Sequence, residues 1–397
     1  MGLLLIPATH TAAAYSVLTH EAIIDSAWDD VLKPLILTRY PVVSADQLLE
    51  AHAYAYGGAI IQDLGYYPFG SKLFSDLVHY VRSGDFPVAL IREASDPNEY
   101  AFALGALCHY AADNNGHPTA VNRAVPMLYP KIRRKFGNVA TYEDDPGAHL
   151  KAEFGFDVLE VARGNYAPKA YHDFIGFKVS KPVLERGFEA TYGIPLKHVF
   201  ASLDLALGTY RRTVSGLIPE MTKAAWDARK DDIEKTAAGM TRQKFVYNLS
   251  RASYEKEWGH NYERPGVGAR VLAFLFRIVP RVGPFRAFAF RMPTPAAEKL
   301  FMQSFNDTLS RVRQLAGNVR AQQLQLPDRN LDTGEPVREG DYRKADAAFE
   351  KLLEKLTDRK EPLPDELKKT ILAFYQKPPA RLSQKAQQEL AALRNAS

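Results

Sequence analysis

The chain has 397 residues, of which 46% are hydrophobic and 24% are charged, a composition typical of a soluble protein with one large domain and an appendage. Its net charge of +5 is small for this length, so charge alone gives no support for nucleic-acid binding. The single cysteine, Cys108, excludes an internal disulfide framework and is predicted to be a packing residue.

The N-terminal residues 1–14 are predicted to be a signal peptide. They read MGLLLIPATHTAAA, a short apolar stretch followed by three alanines that fit a small-residue cleavage site. Because the stretch is short and has no basic start, an ordinary buried N-terminal segment is the alternative. Cleavage predicts an exported protein, periplasmic or secreted. No later stretch of the sequence reaches the roughly 18 apolar residues of a membrane span.

Helical periodicity predominates along the chain without sustained period-two alternation, so an all-α fold is predicted. Thr19 is predicted to cap a helix that runs from residue 20 to about residue 32. Ser44 opens a capping box, Ser-Ala-Asp-Gln, and the helix that follows is predicted to end near residues 57–58, a Gly-Gly pair. Asp63 then falls in a turn-like segment, and His79 lies in the next helical stretch.

Two histidine–carboxylate pairs, His109/Asp113 and His149/Glu153, are the strongest functional signal in the sequence. A spacing of four residues is just over one helical turn, so each pair points its two side chains the same way from one helix face. An imidazole and a carboxylate directed at one point form half of a transition-metal site. Each pair follows an Asp-Pro helix opening, at 96–97 and at 145–146, which supports the helical assignment.

A further histidine, His117, follows the first pair closely. Asn115-Gly116 is predicted to end the helix that carries the pair, and Pro118 favours extended geometry at His117. His117 is therefore predicted to lie at the end of that helix, and it need not share a face with His109.

The C-terminal half is predicted to be mostly helical. Helices are expected over 195–217 and 223–238, and residues 326–343, rich in Pro, Asp, Gly and Arg, are predicted to be a linker to a small helical tail. Residues 270–291 are apolar with regularly spaced arginines. They form either an interfacial segment that contacts a lipid surface or two core helices whose arginines reach solvent.

Taken in chain order, the metal-capable residues are His20, Asp63, His79, His109, Asp113, His117, His149 and Glu153. In this order, with its two His-x3-carboxylate pairs, the chain resembles the zinc-dependent phospholipase C family over roughly residues 15–215. That family includes the phospholipase C/D domain of glycosylphosphatidylinositol-specific phospholipase D and is related to the fungal single-strand nucleases. The resemblance implies an all-helical fold, a cluster of about three Zn²⁺ ions, and hydrolysis of phospholipid phosphodiesters with metal-activated water as nucleophile.

The resemblance also implies how the ligands divide among the metals. The first zinc would be held by Asp63, His79, His109 and one oxygen of Asp113. The second would be held by His20, the other oxygen of Asp113, and the amine and carbonyl of Tyr15, which cleavage after residue 14 would make the mature N-terminus. The third would be held by His117, His149 and Glu153. Asp63 and Asp113 are the candidate catalytic residues, and a general-base role for Asp63 is left open.

The gap of four residues between Asp113 and His117 is shorter than the family usually shows, and two positions also depart from the pattern of the family and its relatives. Leu64 stands where choline-preferring enzymes have an aromatic residue, so phosphatidylcholine is not assured as the substrate, although Tyr66 lies nearby. Arg82 stands where the nucleases have an aspartate that reads the base, while the aromatic Tyr80 is kept. The substitution at Arg82 disfavours a nuclease.

The sequence is thus interpreted as an exported zinc-dependent phosphodiesterase of the phospholipase C type. Its predicted parts are the signal peptide, a catalytic domain over 15–225, a helical extension over 226–325, and a linker with a charged helical tail over 326–397. Two alternatives remain open at this point. One is a single-strand nuclease or nucleotidase that uses the same metals, and the other is a metal-binding homologue without activity. The oligomeric state is not predicted.

Overall fold

The computed structural model describes residues 16–163, 177–214, 230–231, 290–359, 363–376 and 382–395. Within these ranges the chain is helical and has no β-strand, which confirms the predicted all-α fold. No helix of the described ranges combines the length and apolar character that a bilayer span needs. The predicted signal peptide, Tyr15, residues 270–289 and nearly all of the predicted helix 223–238 lie outside the described residues.

The helices before the gap at 164–176 are α1 (Val17–Ala27), α2 (Lys33–Arg39), α3 (Ala45–Ile60), α4 (Lys72–Tyr80), α5 (Asp85–Glu93), α6 (Pro97–Gly116), α7 (Asn122–Leu128), α8 (Pro130–Phe136) and α9 (Pro146–Arg163). Those after it are α10 (Lys181–Tyr192), α11 (Leu203–Arg212), α12 (Pro295–Arg320), α13 (Arg343–Leu356), α14 (Asp365–Phe374) and α15 (Gln384–Asn395). Wider π-helical turns occupy Trp28–Leu32 and His117–Val121, and 3₁₀ turns occupy Ile61–Tyr66 and Leu196–His198.

Helices α3 and α6 pack against each other through small residues at the centre of the core. A Cβ on Gly58 would lie 1.9 Å from the Phe102 carbonyl oxygen, and one on Gly105 would lie 2.1 Å from the Ala55 carbonyl oxygen. Glycine is therefore required at both positions for the two backbones to approach so closely. The helix continues two residues beyond the predicted Gly-Gly end, to Ile60, because Gly58 serves this packing and a Cβ on Gly57 would lie 1.7 Å from the Lys178 carbonyl oxygen.

Two other predicted helix boundaries differ from the structure. Helix α1 begins at Val17 with Ser16 as its N-cap, and the hydroxyl of Thr19 instead donates a hydrogen bond to Asp157 Oδ1 at 2.7 Å. Thr19 thus joins α1 to α9 instead of capping a helix. The predicted helix 195–217 is divided into a 3₁₀ turn and α11, in which the Ser202 hydroxyl accepts a hydrogen bond from the Leu205 N–H at 3.2 Å.

The C-terminal helices cover the outside of this core. Helix α12 packs on α6, where the side-chain amide of Asn115 donates hydrogen bonds to the Ser304 carbonyl at 2.8 Å and to Thr308 Oγ1 at 3.1 Å. Helix α13 packs against α4, and α15 packs against α13. The predicted linker is irregular in the structure, and some of its side chains, including those of Leu331 and Asp332, are buried.

Candidate metal centre

Six elements of the fold direct metal-capable side chains into the interior. They are α1 with His20, the 3₁₀ turn with Asp63, α4 with His79, α6 and the π-helical turn after it with His109, Asp113 and His117, and α9 with His149 and Glu153. All eight side chains are buried, with exposed fractions of 2% or less. The structure brings them together in three overlapping or adjacent groups: His20 with His109 and Asp113, Asp63 with His79 and His109, and His117 with His149 and Glu153.

Asp113 lies between the first two groups. Its Oδ2 atom is 3.1 Å from His109 Nε2 and 3.3 Å from His79 Nε2, whereas its Oδ1 atom is 3.4 Å from His20 Nε2. Asp63 faces the same point, with Oδ1 at 3.5 Å from His79 Nε2 and Oδ2 at 4.0 Å from His20 Nε2. The two oxygens of Asp113 therefore face different sets of histidines, which is the arrangement that a carboxylate bridging two metals requires.

Backbone carbonyls fix which ring nitrogen of three histidines faces the centre. The Nδ1 atom of His79 lies 2.8 Å from the Ser75 carbonyl oxygen, and that of His109 lies 2.8 Å from the Ala59 carbonyl oxygen. In His149 the Nε2 atom lies 2.7 Å from the Ala140 carbonyl oxygen. Because the nitrogen beside a carbonyl must carry the proton, the other nitrogen of each neutral ring presents a lone pair to the centre.

These lone pairs face other acceptors at short range. The Nε2 atoms of His79 and His109 are 3.4 Å apart, and both lie beside the Asp113 carboxylate. Acceptors held this close repel one another unless a proton or a metal cation lies between them. Without a cation, a proton on one of these nitrogens is what relieves the repulsion. Burial lowers the pKa of His79, but the hydrogen bonds that its protonated ring donates to Asp113 and Asp63 outweigh burial and raise that pKa well above its usual value.

The buried carboxylates respond in opposite directions. Burial would raise the pKa of Asp113, but the charges and hydrogen bonds of His109, His79 and His20 hold it well below its usual value. Glu153 has no such partner, so burial and the nearby charges of Asp63 and Asp113 raise its pKa well above the usual range. The negative charge of Asp113 is therefore balanced by the neighbouring histidines, whereas a negative charge on Glu153 is not.

The third group contains buried polar atoms that have no hydrogen-bond partner. Both carboxylate oxygens of Glu153, Nδ1 of His149 and Nδ1 of His117 lack one. Burial lowers the pKa of His149 to about 4, so its ring is neutral near pH 7 and its free nitrogen is available as a ligand. Unsatisfied buried nitrogens and oxygens are costly, and a bound cation removes that cost. The set of histidine nitrogens and carboxylate oxygens, without cysteine, suits Zn²⁺.

The prediction of extended geometry at His117 was wrong. The residue has φ −60° and ψ −62°, and it begins the π-helical turn that connects α6 to α7 without a break. Pro118 is accommodated because it lies in the wider π-helical turn, where the regular α-helical hydrogen-bond pattern is interrupted. The wider turn places His117 beside His149, with ring centroids 6.0 Å apart.

Asp332 also lies at the centre, although nothing in the sequence indicated it. Its side chain is 3% exposed, and its Oδ1 atom is 3.4 Å from His117 Nε2. Asp332 lies inside the predicted linker and has no histidine four residues away, so no local sequence pattern indicates a metal site there.

The two positions that depart from the related enzymes have local explanations. Arg82 is directed away from the centre, and its guanidinium binds Asp85 at 2.6 Å and the Thr191 carbonyl at 2.7 Å. Leu64 is fully buried, whereas the Tyr66 ring lies 6.0 Å from the His79 ring. Tyr66 is thus the aromatic side chain of the 3₁₀ turn that approaches the candidate ligands.

Residues 19–202 match a protein-family model whose description is zinc dependent phospholipase C. The match spans every candidate ligand except Tyr15, and it ends before the segment that contains Asp332. No curated protein and no solved structure matches the chain.

Proposed function

Since residues 19–202 belong to the zinc-dependent phospholipase C family, we propose that the chain is a hydrolase that cleaves phospholipid phosphodiesters at a cluster of three zinc ions. The observation that carries the proposal is the division of the two Asp113 oxygens between His20 on one side and His79 with His109 on the other. A metal pair joined by one carboxylate suits phosphoryl chemistry, because it binds the attacking and the leaving oxygens together.

The proposed ligands are those that the resemblance implies. One site comprises Asp63, His79, His109 and Asp113, a second comprises Tyr15, His20 and Asp113, and a third comprises His117, His149 and Glu153. When bound, zinc supplies Lewis-acid polarisation of the phosphoryl group and lowers the pKa of bound water. The protein's part is to hold neutral imidazoles in one tautomer through the Ser75, Ala59 and Ala140 carbonyls and to keep the centre buried.

The surroundings of Tyr80 favour a lipid phosphodiester over a nucleic acid. Its ring is fully buried and packs at 5.4 Å from that of Tyr342, and its hydroxyl donates to Asp332 at 2.8 Å. A base cannot stack on a ring covered in this way, and Arg82 at the neighbouring position is tied to Asp85. The single-strand nuclease is therefore the less favoured candidate.

The deciding experiment compares the products that the purified, zinc-loaded protein releases from phospholipid and from single-stranded DNA. Release of phosphorylated head group from mixed micelles of phosphatidylcholine, phosphatidylethanolamine or phosphatidylinositol is expected, together with diacylglycerol, if cleavage is of the C type. Phosphatidic acid in its place would indicate D-type cleavage. Acid-soluble nucleotides from single-stranded DNA with no lipid product would contradict the proposal, and no product from either substrate would favour a metal-binding homologue without activity.

A basic surface next to α9 supports contact of the enzyme with an anionic lipid surface. A cavity of about 510 Å³ is lined by the cationic side chains of Lys131, Arg134, Lys151 and Arg291, with Asp145 as the acidic residue of the lining. The apolar residues Met127 and Val139, in the same stretch of chain, are 42% and 52% exposed. We propose that this surface meets lipid phosphates, whichever of the two alternatives left open for residues 270–291 holds.

The lipid contact is tested by sedimentation with phosphatidylglycerol vesicles. Replacing Lys131 and Arg134 by glutamine is expected to weaken vesicle binding by about 30-fold, since each basic residue near an anionic surface contributes about 1 kcal/mol. Hydrolysis of a short-chain soluble substrate should be unchanged. The matched control replaces Lys351 and Lys355 on α13, and equal loss in both double variants would mean that only net charge matters.

A further inference from the structure

The segment 326–342, which connects α12 to α13, is fastened to the helices that carry the candidate ligands. The Leu331 N–H donates to the His79 carbonyl at 3.1 Å, and the Tyr110 hydroxyl donates to the Pro327 carbonyl at 2.7 Å. Asp328 Oδ1 accepts the backbone N–H groups of Gly84 at 2.9 Å and Asp85 at 3.2 Å. The segment therefore has a defined position directly beside the C-terminal end of α4.

Within this segment, Asp332 is oriented by contacts on both its backbone and its side chain. Its carbonyl oxygen accepts a hydrogen bond from Asn122 Nδ2 at 2.7 Å, and its N–H donates to Asn330 Oδ1 at 2.9 Å. Its Oδ2 atom accepts hydrogen bonds from the hydroxyls of Tyr80, at 2.8 Å, and Tyr342. Oδ2 is thereby satisfied, and Oδ1 is left facing His117 Nε2 at 3.4 Å.

The partner of His117 distinguishes it from three of the other ligand histidines. His79, His109 and His149 each place one ring nitrogen beside a backbone carbonyl, which leaves the other nitrogen for the metal. In His117 the Nε2 atom faces the Asp332 carboxylate instead, and Nδ1 is buried without a hydrogen-bond partner. A carboxylate that accepts the N–H of a metal-binding imidazole fixes its tautomer and increases its basicity.

We infer that Asp332 is a positioning residue of the third metal site: it accepts the Nε2 proton of His117, so that Nδ1 faces the metal together with His149 and Glu153. The inference rests on the proposed zinc site and adds to it a residue from beyond the matched region 19–202. Tyr80 and Tyr342 hold the carboxylate in place from its other oxygen.

The test measures zinc affinity and does not rely on activity. The full-length mature protein is titrated with zinc in competition with a chromophoric chelator, and cobalt substitution reports the ligand geometry by its visible spectrum. Asp332→Ala is expected to lower the affinity for one of the three zinc ions by about 10- to 100-fold and to leave the affinities for the other two unchanged. Asp332→Asn, whose amide oxygen still accepts the His117 proton, is expected to show a smaller loss.

Asp341→Asn is the matched control, because it removes a carboxylate from the same segment at an exposed position. It should leave all zinc affinities and the cobalt spectrum unchanged. Asp332 variants that fold, as judged by circular dichroism, and bind three zinc ions with wild-type affinity overturn the inference while the proposed function stands. If the wild-type protein binds no zinc, the proposed function fails and the inference fails with it. Loss of all three metals in a folded Asp332→Asn variant would also overturn it, because Asp332 would then act on the whole cluster.

Discussion

Asp113 and Glu153 are both buried carboxylates four residues after a histidine, but the structure predicts unequal losses of stability in the metal-free protein when each is made neutral. The isosteric variants are Asp113→Asn and Glu153→Gln, which change charge and leave volume nearly the same. In the metal-free protein Asp113 compensates His79 and His109, and removing one partner of a buried ion pair costs about 3–5 kcal/mol. Glu153 has a raised pKa that favours its protonated form, which glutamine mimics, so that variant should cost about 1 kcal/mol or less.

Glu153→Gln is expected to cost little stability in the metal-free protein, but it should reduce zinc binding. Because Asp113 faces two groups of histidines, Asp113→Asn is expected to reduce the zinc content by two ions per chain, and Glu153→Gln by one. The free energy of unfolding is measured by urea titration in excess chelator, and zinc by elemental analysis after loading and gel filtration. Equal destabilisation of the two metal-free variants would refute the charge assignment, and loss of a single zinc from Asp113→Asn would refute the bridge.

Three further predictions concern metal, processing and pH. The mature protein should bind close to three zinc ions, and chelation should abolish hydrolysis and lower the melting temperature; full activity in excess chelator would exclude the proposed mechanism. A protein that retains residues 1–14 has an amide in place of the Tyr15 amine, so it should bind one zinc fewer and lose much of its activity, whereas equal zinc content would make Tyr15 a structural residue. Burial lowers the pKa of His149 from 6.5 to about 4, so the unfolded chain takes up a proton between these pH values that the folded chain does not. His149 should therefore reduce the free energy of unfolding as pH falls, by up to about 1.4 kcal/mol per pH unit. In excess chelator, the unfolding free energy of His149→Gln should fall less steeply than that of the wild type between pH 6.5 and 4. Parallel curves for the two proteins would contradict the assignment.

The parts of the centre that the sequence predicted are those that depend on local geometry. Asp96 caps α6 through the N–H groups of Asn98 and Glu99, as the Asp-Pro opening indicated, and the four-residue spacing then places Asp113 beside His109. The prediction at His117 failed because it relied on a local preference that the surrounding helical backbone overrides. Pro118 favours extended geometry in an isolated dipeptide, but here the continuous α6–α7 backbone passes through a π-helical turn that tolerates proline.

Asp332 was beyond sequence reasoning because its role depends on contacts between distant parts of the chain. Its contact with Tyr80 spans 252 residues, and the composition around it, rich in Pro, Asp and Gly, is also that of an ordinary linker. The packing of α13 against α4 brings the segment to His117, together with hydrogen bonds such as those from Leu331 to His79 and from Asn122 to Asp332. A carboxylate on an irregular segment has no periodicity from which its direction can be inferred.

The distribution of the ligands explains why metal should matter for stability as well as for chemistry. Helices α1, α4, α6 and α9 each direct histidines or carboxylates to the same interior volume, and in three of the histidines the second nitrogen is fixed by a backbone carbonyl. Without cations, the Asp113 charge depends on protonated histidines for compensation, and the Glu153 oxygens are buried without a hydrogen-bond partner. Under the proposed function, metal binding would supply the positive charge directly and would join four separate helices. Under the proposed function, the same buried donors that cost stability in the metal-free chain would, once zinc is bound, prepare the centre for a charged phosphodiester.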